Sequence, residues 1–233
     1  MKTRLIKIAK WIRDILIGCA VATLVPVILF RFVPVPVTPL MIIRCFEQIH
    51  NDQKLRLSKD WVPLKKISPN MVAAVIASED QNFVRHFGFD IESIEKAYDQ
   101  NRRGRRIKGA STITMQTAKN LFLWPDRSWL RKGLEAYFTV LLEICWSKER
   151  IIEVYLNIVE TGRGIYGVEA AANAYYKKPA AKLSRREAAM IAAALPLPLR
   201  MNPARPSSYM ISRQEWILHQ MYYIDLGPMK LKK

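Results

Sequence analysis

The first chemically suggestive feature of this 233-residue sequence is a pair of acids, Glu79 and Asp80, at the end of an apolar segment. Glu79 lies four residues after Val75, so a helix would turn its carboxylate toward the core side. Because partial burial disfavours the charged form of a carboxylate, Glu79 is predicted to be a stronger base than an exposed glutamate. That property suits a general base. A local ion pair with Arg85 or His86 would explain the position equally well.

A second candidate strip occupies residues 109–120 and follows a loop, residues 101–108, in which five of eight residues are basic. Its hydroxylated residues include Ser111, and it continues into Gln116, Lys119 and Asn120. These last three residues lie about one helical turn apart, so they can share a face. Such a strip could hold a diphosphate. The alternative is an ordinary helix start with a solvated lysine.

A third candidate is Glu135, which follows Arg131 by four residues and Lys132 by three. An ion pair at this helical spacing is worth a few tenths of a kcal/mol and explains the pattern without any function. The neighbouring Leu134 and Phe138 also predict partial burial of Glu135. A second acid among several cations is what metal-assisted departure of a diphosphate would use. The spacing does not decide between these two interpretations.

The elements that must position these residues are predicted to be helices. Ser68, Ser128, Ser147 and Ser184 are each suited to cap a helix, and Glu187 completes a capping box with Ser184. The apolar residues after each serine follow helical periodicity. No alternating strand is identified. Phe46 to Ile67 is interpreted as irregular, and residues 162–167, with three glycines, are interpreted as a loop. A mainly α domain follows.

The N-terminal region predicts a membrane anchor, because residues 15–30 run without a charge and Arg31 can snorkel. Residues 33–39 are rich in proline and predict a stiff connection. A cleaved signal peptide is the alternative, but the small-residue pattern at residues 20–22 falls inside the apolar run. Basic residues before the run place the N-terminus in the cytoplasm. We therefore predict a tail, anchor and connection over residues 1–44 and an extracytoplasmic domain over residues 45–233.

Residues 45–233 are basic in their own right, with thirty Lys or Arg against nineteen acids and a net charge of +11. Near a membrane, such a surface attracts anionic headgroups or phosphates, and export argues against nucleic acid as a partner. Cys45 and Cys145 could form a disulfide in that compartment, although two buried thiols are the simpler expectation.

From Trp61 to Gln220, the order and spacing of these segments resemble the five motifs of the family 51 glycosyltransferases, the peptidoglycan polymerases of bacterial cell walls. A short chain with one N-terminal anchor is similar to the monofunctional members of that family. The first motif, Glu-Asp-x-x-Phe-x-x-His-x-Gly, corresponds to Glu79, Asp80, Phe83, His86 and Gly88.

The resemblance implies that Glu79 is the catalytic base and that Glu135 is the second catalytic carboxylate. It also implies a divalent cation, Mg²⁺ or Mn²⁺, that is bound with the substrate diphosphate and has Glu135 as its candidate protein ligand. The family's paired glutamines are Met115-Gln116 here, so only Gln116 inherits their role. The implied substrate-binding residues are Asp80, Phe83, His86, Ser111, Gln116, Lys119, Asn120, Arg127, Arg131 and Lys132.

The fold implied by the resemblance is mainly α and lysozyme-like, preceded by one transmembrane helix. The implied reaction is inverting β-1,4 glycosyl transfer that elongates glycan strands from lipid II and releases undecaprenyl diphosphate. Lipid II, the growing lipid-linked glycan, the membrane and other cell-wall synthesis proteins are the expected partners. The implied location is the cytoplasmic (inner) membrane, with the catalytic domain in the periplasm. A lysozyme-type peptidoglycan-cleaving enzyme and a non-enzymatic membrane-anchored scaffold are the alternatives.

Overall fold

The computed structural model describes residues 2–102, 111–126 and 128–229, and the chain divides into two compact units after Pro34. The first unit is a single helix, α1 (Lys2–Phe32). Its segment Lys10–Phe32 is long and apolar enough to cross a membrane, and Pro26 lies within it. The predicted N-terminal apolar helix is therefore confirmed, and it is compatible with a single-pass anchor.

The second unit, Val35–Lys233, is mainly helical, as predicted. Short 3-10 turns occupy Leu64–Lys66, Ala180–Lys182 and Gly227–Met229. Its α-helices are α2 (Pro39–His50), α3 (Pro69–Glu79), α4 (Ile91–Arg102), α5 (Ile113–Phe122), α6 (Trp129–Cys145), α7 (Lys148–Ile158), α8 (Val168–Tyr176), α9 (Arg185–Ala194) and α10 (Ser208–Gln220).

The helix that carries Glu79, α3, lies in the middle of this unit. Ser68 caps it by accepting the Asn70 N–H, and residues 71–77 are buried on every side of the helix. A helix that is apolar all round is stable only when neighbours cover it completely. Here α9 and α10 pack against it, and the alanine-rich sequence of α9 allows close approach. The core-facing side of α3 that is predicted from Val75 and Glu79 is thus only part of the buried surface of this helix.

A second group of helices carries the other candidate residues. The central member, α5, packs against both α6 and α7. Ser128 caps α6 and Ser147 caps α7, each by accepting a backbone N–H of the first helical turn. Ser184 and Glu187 form the predicted capping box at the start of α9. These cap predictions are confirmed because the interactions that produce them are local in sequence.

A small three-stranded sheet lies beside the helices, in the order β1-β3-β2. Its strands are β1 (Ser58–Lys59), β2 (Glu160–Gly162) and β3 (Ile165–Tyr166), with β1 parallel and β2 antiparallel to β3. The predictions of an irregular lead-in and a glycine-rich loop were therefore wrong in part. Strands of two or three residues are too short to show alternation. The first five residues of the predicted lead-in, Phe46 to His50, belong to α2.

Two glycines occupy positions that a side chain could not share. Gly88 has a φ of 78°, and a Cβ there would lie 2.7 Å from Thr139 Cγ2. Gly167 has a φ of 77°, and its Cβ would lie 2.7 Å from the Asn157 carbonyl oxygen. Gly88 therefore lets the segment after Glu79 turn closely over α6.

The two cysteines of the second unit, Cys45 and Cys145, are free thiols and are only half-buried. Cys45 follows Arg44 within α2, which belongs to the second unit. The compact units therefore divide nearer the N-terminus than residue 44. The predicted functional boundary at residues 44/45 stays a prediction.

Candidate active site

Glu79 is the last residue of α3, and its carboxylate has three polar neighbours. Oε1 accepts a hydrogen bond from Ser78 Oγ (3.0 Å), and Oε2 accepts one from Gln116 Nε2 (3.1 Å). Arg213 Nη2 lies 3.8 Å from Oε1 and donates to Ser78 Oγ (3.1 Å). The Glu79 side chain is 13% exposed, so the carboxylate is held at the edge of the core while keeping access to solvent. This is the arrangement that a positioned base requires.

Asp80 connects Glu79 to the start of α5. Its Oδ2 accepts the backbone N–H of Ile113 (3.0 Å), and its Oδ1 lies 2.8 Å from His86 Nε2. A carboxylate at a helix N-terminus is stabilised by the exposed N–H groups and by the helix dipole. Both the Asp80 and His86 side chains are buried. They therefore act inside the fold, where they bring the end of α3 against α5.

Phe83 and Gly88 belong to the same interior cluster. The Phe83 ring is fully buried, and Lys148 Nζ lies 4.7 Å from its centroid. Lys148 also donates to Glu143 Oε1 (2.7 Å), which accepts a second hydrogen bond from Thr114 Oγ1 (2.6 Å). These contacts join the first motif to α5, α6 and α7.

Gln116, Lys119 and Asn120 share one face of α5, as predicted, and line a cavity of about 510 Å³. Much of its remaining wall is apolar. Leu197, which is exposed, contributes to it. The apolar lining residues also include Leu40, Leu123, Trp124, Val159, Leu195 and Leu199. The cavity therefore combines a cationic side chain with apolar walls, which suits an anionic group attached to a lipid.

A second cavity, of about 370 Å³, is lined by Glu79 itself. Ser111, which is exposed, lines it together with Asp80, Thr112 and Trp216. Gln116 lines the first cavity and Glu79 lines the second. The hydrogen bond between these two side chains therefore marks the boundary between the cavities.

Lys119 is half-buried in the first cavity. Burial lowers the pKa of its ammonium group; Glu135 opposes this shift, whereas the positive charges of Arg131 and Lys132 add to it. Glu79 also opposes it, more weakly. A cation held partly out of water is stabilised by an anionic ligand, because the ligand replaces the lost hydration.

Glu135 is buried within α6, where Arg131 Nη1 pairs with its Oε2 and Lys132 Nζ lies 2.5 Å from its Oε1. Both carboxylate oxygens thus have cationic partners. Glu135 does not line either of the two cavities. The predicted ion pair with Arg131 is confirmed, and the negative charge of Glu135 raises the pKa of Lys119 against the effect of burial.

Several residues near the site were not identified from the sequence. Arg213 belongs to α10, far along the chain from Glu79, and Tyr155 belongs to a helix that is otherwise scaffold. The Tyr155 hydroxyl donates to Gln116 Oε1 (3.3 Å). Burial, and then the negative charges of Glu79 and Asp80, raises the pKa of Tyr155 well above its usual value. Tyr155 therefore stays a hydroxyl donor across the physiological range.

The first cavity also contains a buried acid, Glu160 of β2. Arg44 Nε lies 3.5 Å from Glu160 Oε1, and the Tyr166 hydroxyl donates to the same oxygen (3.3 Å). Burial raises the pKa of Glu160, although Arg44 and Tyr166 oppose the shift. No sequence motif indicated Arg44 or Glu160. Arg44 ends the segment interpreted as a connection, and Glu160 lies between a predicted helix and the predicted loop at residues 162–167.

Comparison with known proteins shows which family this chain is similar to. A family model described as transglycosylase matches residues 47–222. A relative from Bdellovibrio bacteriovorus, named biosynthetic peptidoglycan transglycosylase, is 51% identical over 221 residues, covering 95% of this chain and 88% of the relative. A relative of the same name from Bacteroides thetaiotaomicron is 51% identical over 227 residues, which are 97% of this chain and 92% of the relative. One from Escherichia coli is 54% identical over 202 residues, which are 86% of this chain and 84% of the relative.

The chain belongs to the transglycosylase family. It is accordingly an enzyme that transfers glycosyl groups, and the predicted enzyme class is confirmed. In this transglycosylase, Glu79, Gln116, Lys119, Asn120 and Ser111 meet around the two cavities. Of the other predicted residues, Asp80 also lines the second cavity, Arg127 lies outside the described residues, and the rest line neither cavity: Phe83, His86, Glu135, Arg131 and Lys132. The individual roles of all these side chains stay predictions.

The described residues do not fit a metal centre held by protein alone. Within residues 2–102, 111–126 and 128–229, the side chains of His, Cys, Asp and Glu form no group of three that could hold a metal ion. Glu135, the candidate ligand, already has Arg131 and Lys132 on its two oxygens. Mg²⁺ and Mn²⁺ favour several oxygen ligands, which a single paired carboxylate does not supply.

Proposed function

We propose that this transglycosylase polymerises peptidoglycan, elongating glycan strands from lipid II by inverting β-1,4 glycosyl transfer. The observation that carries the proposal is the hydrogen bond between Glu79, which lines one cavity, and Gln116, which lines another cavity that combines Lys119 with apolar walls. A base where two cavities meet can serve a reaction that joins two sugars. The cation and the apolar wall suit a lipid diphosphate. The names of the curated relatives support the same substrate class.

In the proposed reaction, the growing glycan is the donor and is linked at its anomeric carbon to undecaprenyl diphosphate. Glu79 takes the proton from the 4-hydroxyl of the GlcNAc of lipid II as that oxygen attacks the anomeric carbon. The new bond forms on the face opposite the diphosphate, which leaves with the electron pair of the broken C–O bond. The linkage therefore inverts to β-1,4.

The cations of the site stabilise the departing diphosphate. Lys119 lines the first cavity, and its partial burial strengthens its interaction with an anion because water competes less. Arg127 is proposed to act in the same way. A divalent cation, Mg²⁺ or Mn²⁺, is proposed to enter with the diphosphate, whose oxygens would add to any ligands from the described residues. No step of the proposed reaction depends on it.

The membrane arrangement is also a proposal. The apolar helix Lys10–Phe32 and the basic residues before it support an anchor in the cytoplasmic (inner) membrane, with the N-terminus in the cytoplasm. The catalytic unit would then lie in the periplasm, where lipid-linked substrate and enzyme meet in two dimensions. Other cell-wall synthesis proteins are its proposed protein partners.

The test incubates the full-length protein with lipid II and Mg²⁺ in detergent and resolves the products by length. Wild type should produce long glycan. Glu79→Gln should be slower by about 10²- to 10⁴-fold, because general-base catalysis contributes roughly that factor. Glu215→Gln is the matched control, since Glu215 is exposed, pairs with the exposed Arg186, and neither residue lines either cavity.

The lysozyme-type alternative makes the opposite prediction. Family membership favours transfer over cleavage. If lipid II stayed intact while preformed glycan strands were cut by the wild type, the polymerase proposal would be wrong. A scaffold would leave both substrates unchanged.

A further inference from the structure

Tyr155 lies behind the predicted base, on α7, and is fully buried. Its hydroxyl donates to the side-chain oxygen of Gln116 (3.3 Å). The side-chain nitrogen of Gln116 in turn donates to Glu79 Oε2 (3.1 Å). We propose that Tyr155 is a positioning residue, which sets the orientation of the Gln116 amide and thereby holds the carboxylate of Glu79.

The asymmetry of an amide group gives this chain of hydrogen bonds its direction. The Gln116 side chain has one oxygen, which accepts, and one nitrogen, which donates two N–H groups. If the amide rotated by half a turn, its oxygen would face the carboxylate oxygen of Glu79 at about 3.1 Å. The Tyr155 O–H would then face N–H groups, and its proton would have lost its acceptor. A buried donor without an acceptor is unfavourable, so the hydroxyl disfavours the rotated amide.

The other groups around Glu79 do not depend on Tyr155. Ser78 and Arg213 approach Oε1, whereas Gln116 approaches Oε2. Lys119 of α5 and the adjacent Asp80 also carry charges near the site. Removing the Tyr155 hydroxyl should therefore loosen one oxygen of Glu79 and leave the charges and the contacts of Oε1 in place.

The inference rests on the proposed function, and its test is Tyr155→Phe in the full-length protein, assayed for lipid II polymerisation. We expect kcat to fall about three- to tenfold, the usual effect of one neutral hydrogen bond, with KM unchanged. A fall in kcat at constant KM would show that the variant still binds its substrate but holds the base less well.

Tyr175→Phe is the matched control. The Tyr175 side chain is half-buried, and its hydroxyl donates to a backbone carbonyl, that of Thr161 (2.9 Å). This variant should keep the wild-type kcat and KM. Thermal unfolding of both variants shows whether the loss of a buried hydroxyl has only destabilised the fold.

A double-variant cycle tests the route through Gln116. In a Gln116→Ala background, Tyr155→Phe should cause no further loss of kcat, because the group it orients is absent. Equal losses of kcat in both backgrounds, or a rise in KM without a fall in kcat for Tyr155→Phe, would contradict the inference. If Tyr155→Phe did not fold, a neutron structure of the wild type would show the orientation of the Gln116 amide, and an amide nitrogen facing Tyr155 would overturn the inference. Wild-type protein that fails to polymerise lipid II would refute the proposed function instead.

Discussion

At the scale of single residues, the most informative side chain besides Glu79 is Lys119. Its ammonium group is half-buried and lines the apolar-walled cavity, and burial lowers its pKa. The folded protein therefore tolerates a poorly hydrated charge. Such an arrangement lowers the stability of the folded protein and leaves the charge available to an anionic ligand.

Lys119→Met should slow polymerisation by about 10²-fold, because one preorganised electrostatic contact to the leaving group is lost. The same variant should unfold at a higher temperature than wild type near neutral pH. In wild type, the cost of the buried charge is fully present below the lowered pKa. It disappears as pH rises toward 10.5, the usual value in the unfolded chain. The stability difference measured by urea unfolding should therefore shrink at alkaline pH, and a constant difference would contradict this account.

At the scale of elements, the site depends on how the end of α3 meets the start of α5. Asp80 makes this junction by accepting the Ile113 N–H and contacting His86. The contact places Gln116, one turn into α5, within hydrogen-bond distance of Glu79. The first motif therefore forms a helix junction and also carries Glu79, the predicted base.

Asp80→Asn should lower the free energy of unfolding by about 1–3 kcal/mol, because a buried charged acceptor at a helix N-terminus is lost. Activity should fall as well, since α5 carries Gln116 and Lys119. Urea unfolding monitored by circular dichroism measures the first effect. Asp60→Asn, at an exposed position, is the control and should match wild type. An active, fully stable Asp80→Asn protein would show that the junction does not need the charge.

At the scale of the whole molecule, the two compact units differ in chemistry. The first unit contains the apolar helical segment Lys10–Phe32, whereas residues 35–233 carry thirty-one Lys or Arg against nineteen acids. A basic catalytic unit is attracted to anionic headgroups, and this attraction is screened by salt. Insertion of the apolar helix into a membrane, by contrast, would be driven by the hydrophobic effect, and such binding is much less sensitive to salt.

A protein beginning at Val35 should keep its cooperative unfolding, because the catalytic unit has its own core. Its binding to anionic vesicles in a sedimentation assay should weaken about tenfold or more between 0.1 and 0.5 M salt. The full-length protein should remain bound. Neutral vesicles are the control, and salt-independent binding of the shortened protein to anionic vesicles would contradict an electrostatic contribution.

The sequence alone determined the helical class, the helix starts and the placement of Glu79 at the end of a buried helix. Caps at Ser128, Ser147 and Ser184 act within one turn, and helical periodicity repeats within a few residues. Such signals are readable without the rest of the fold. The shared face of Gln116, Lys119 and Asn120 followed from the same periodicity.

Only the tertiary structure decided which partners surround the base. Arg213 and Tyr155 come from α10 and α7, and their contacts with Ser78, Glu79 and Gln116 leave no local pattern. The small sheet was missed for the same reason, since each strand has only two or three residues and is defined by its pairing. Contacts between distant segments depend on how whole helices pack, and packing is a property of the folded chain.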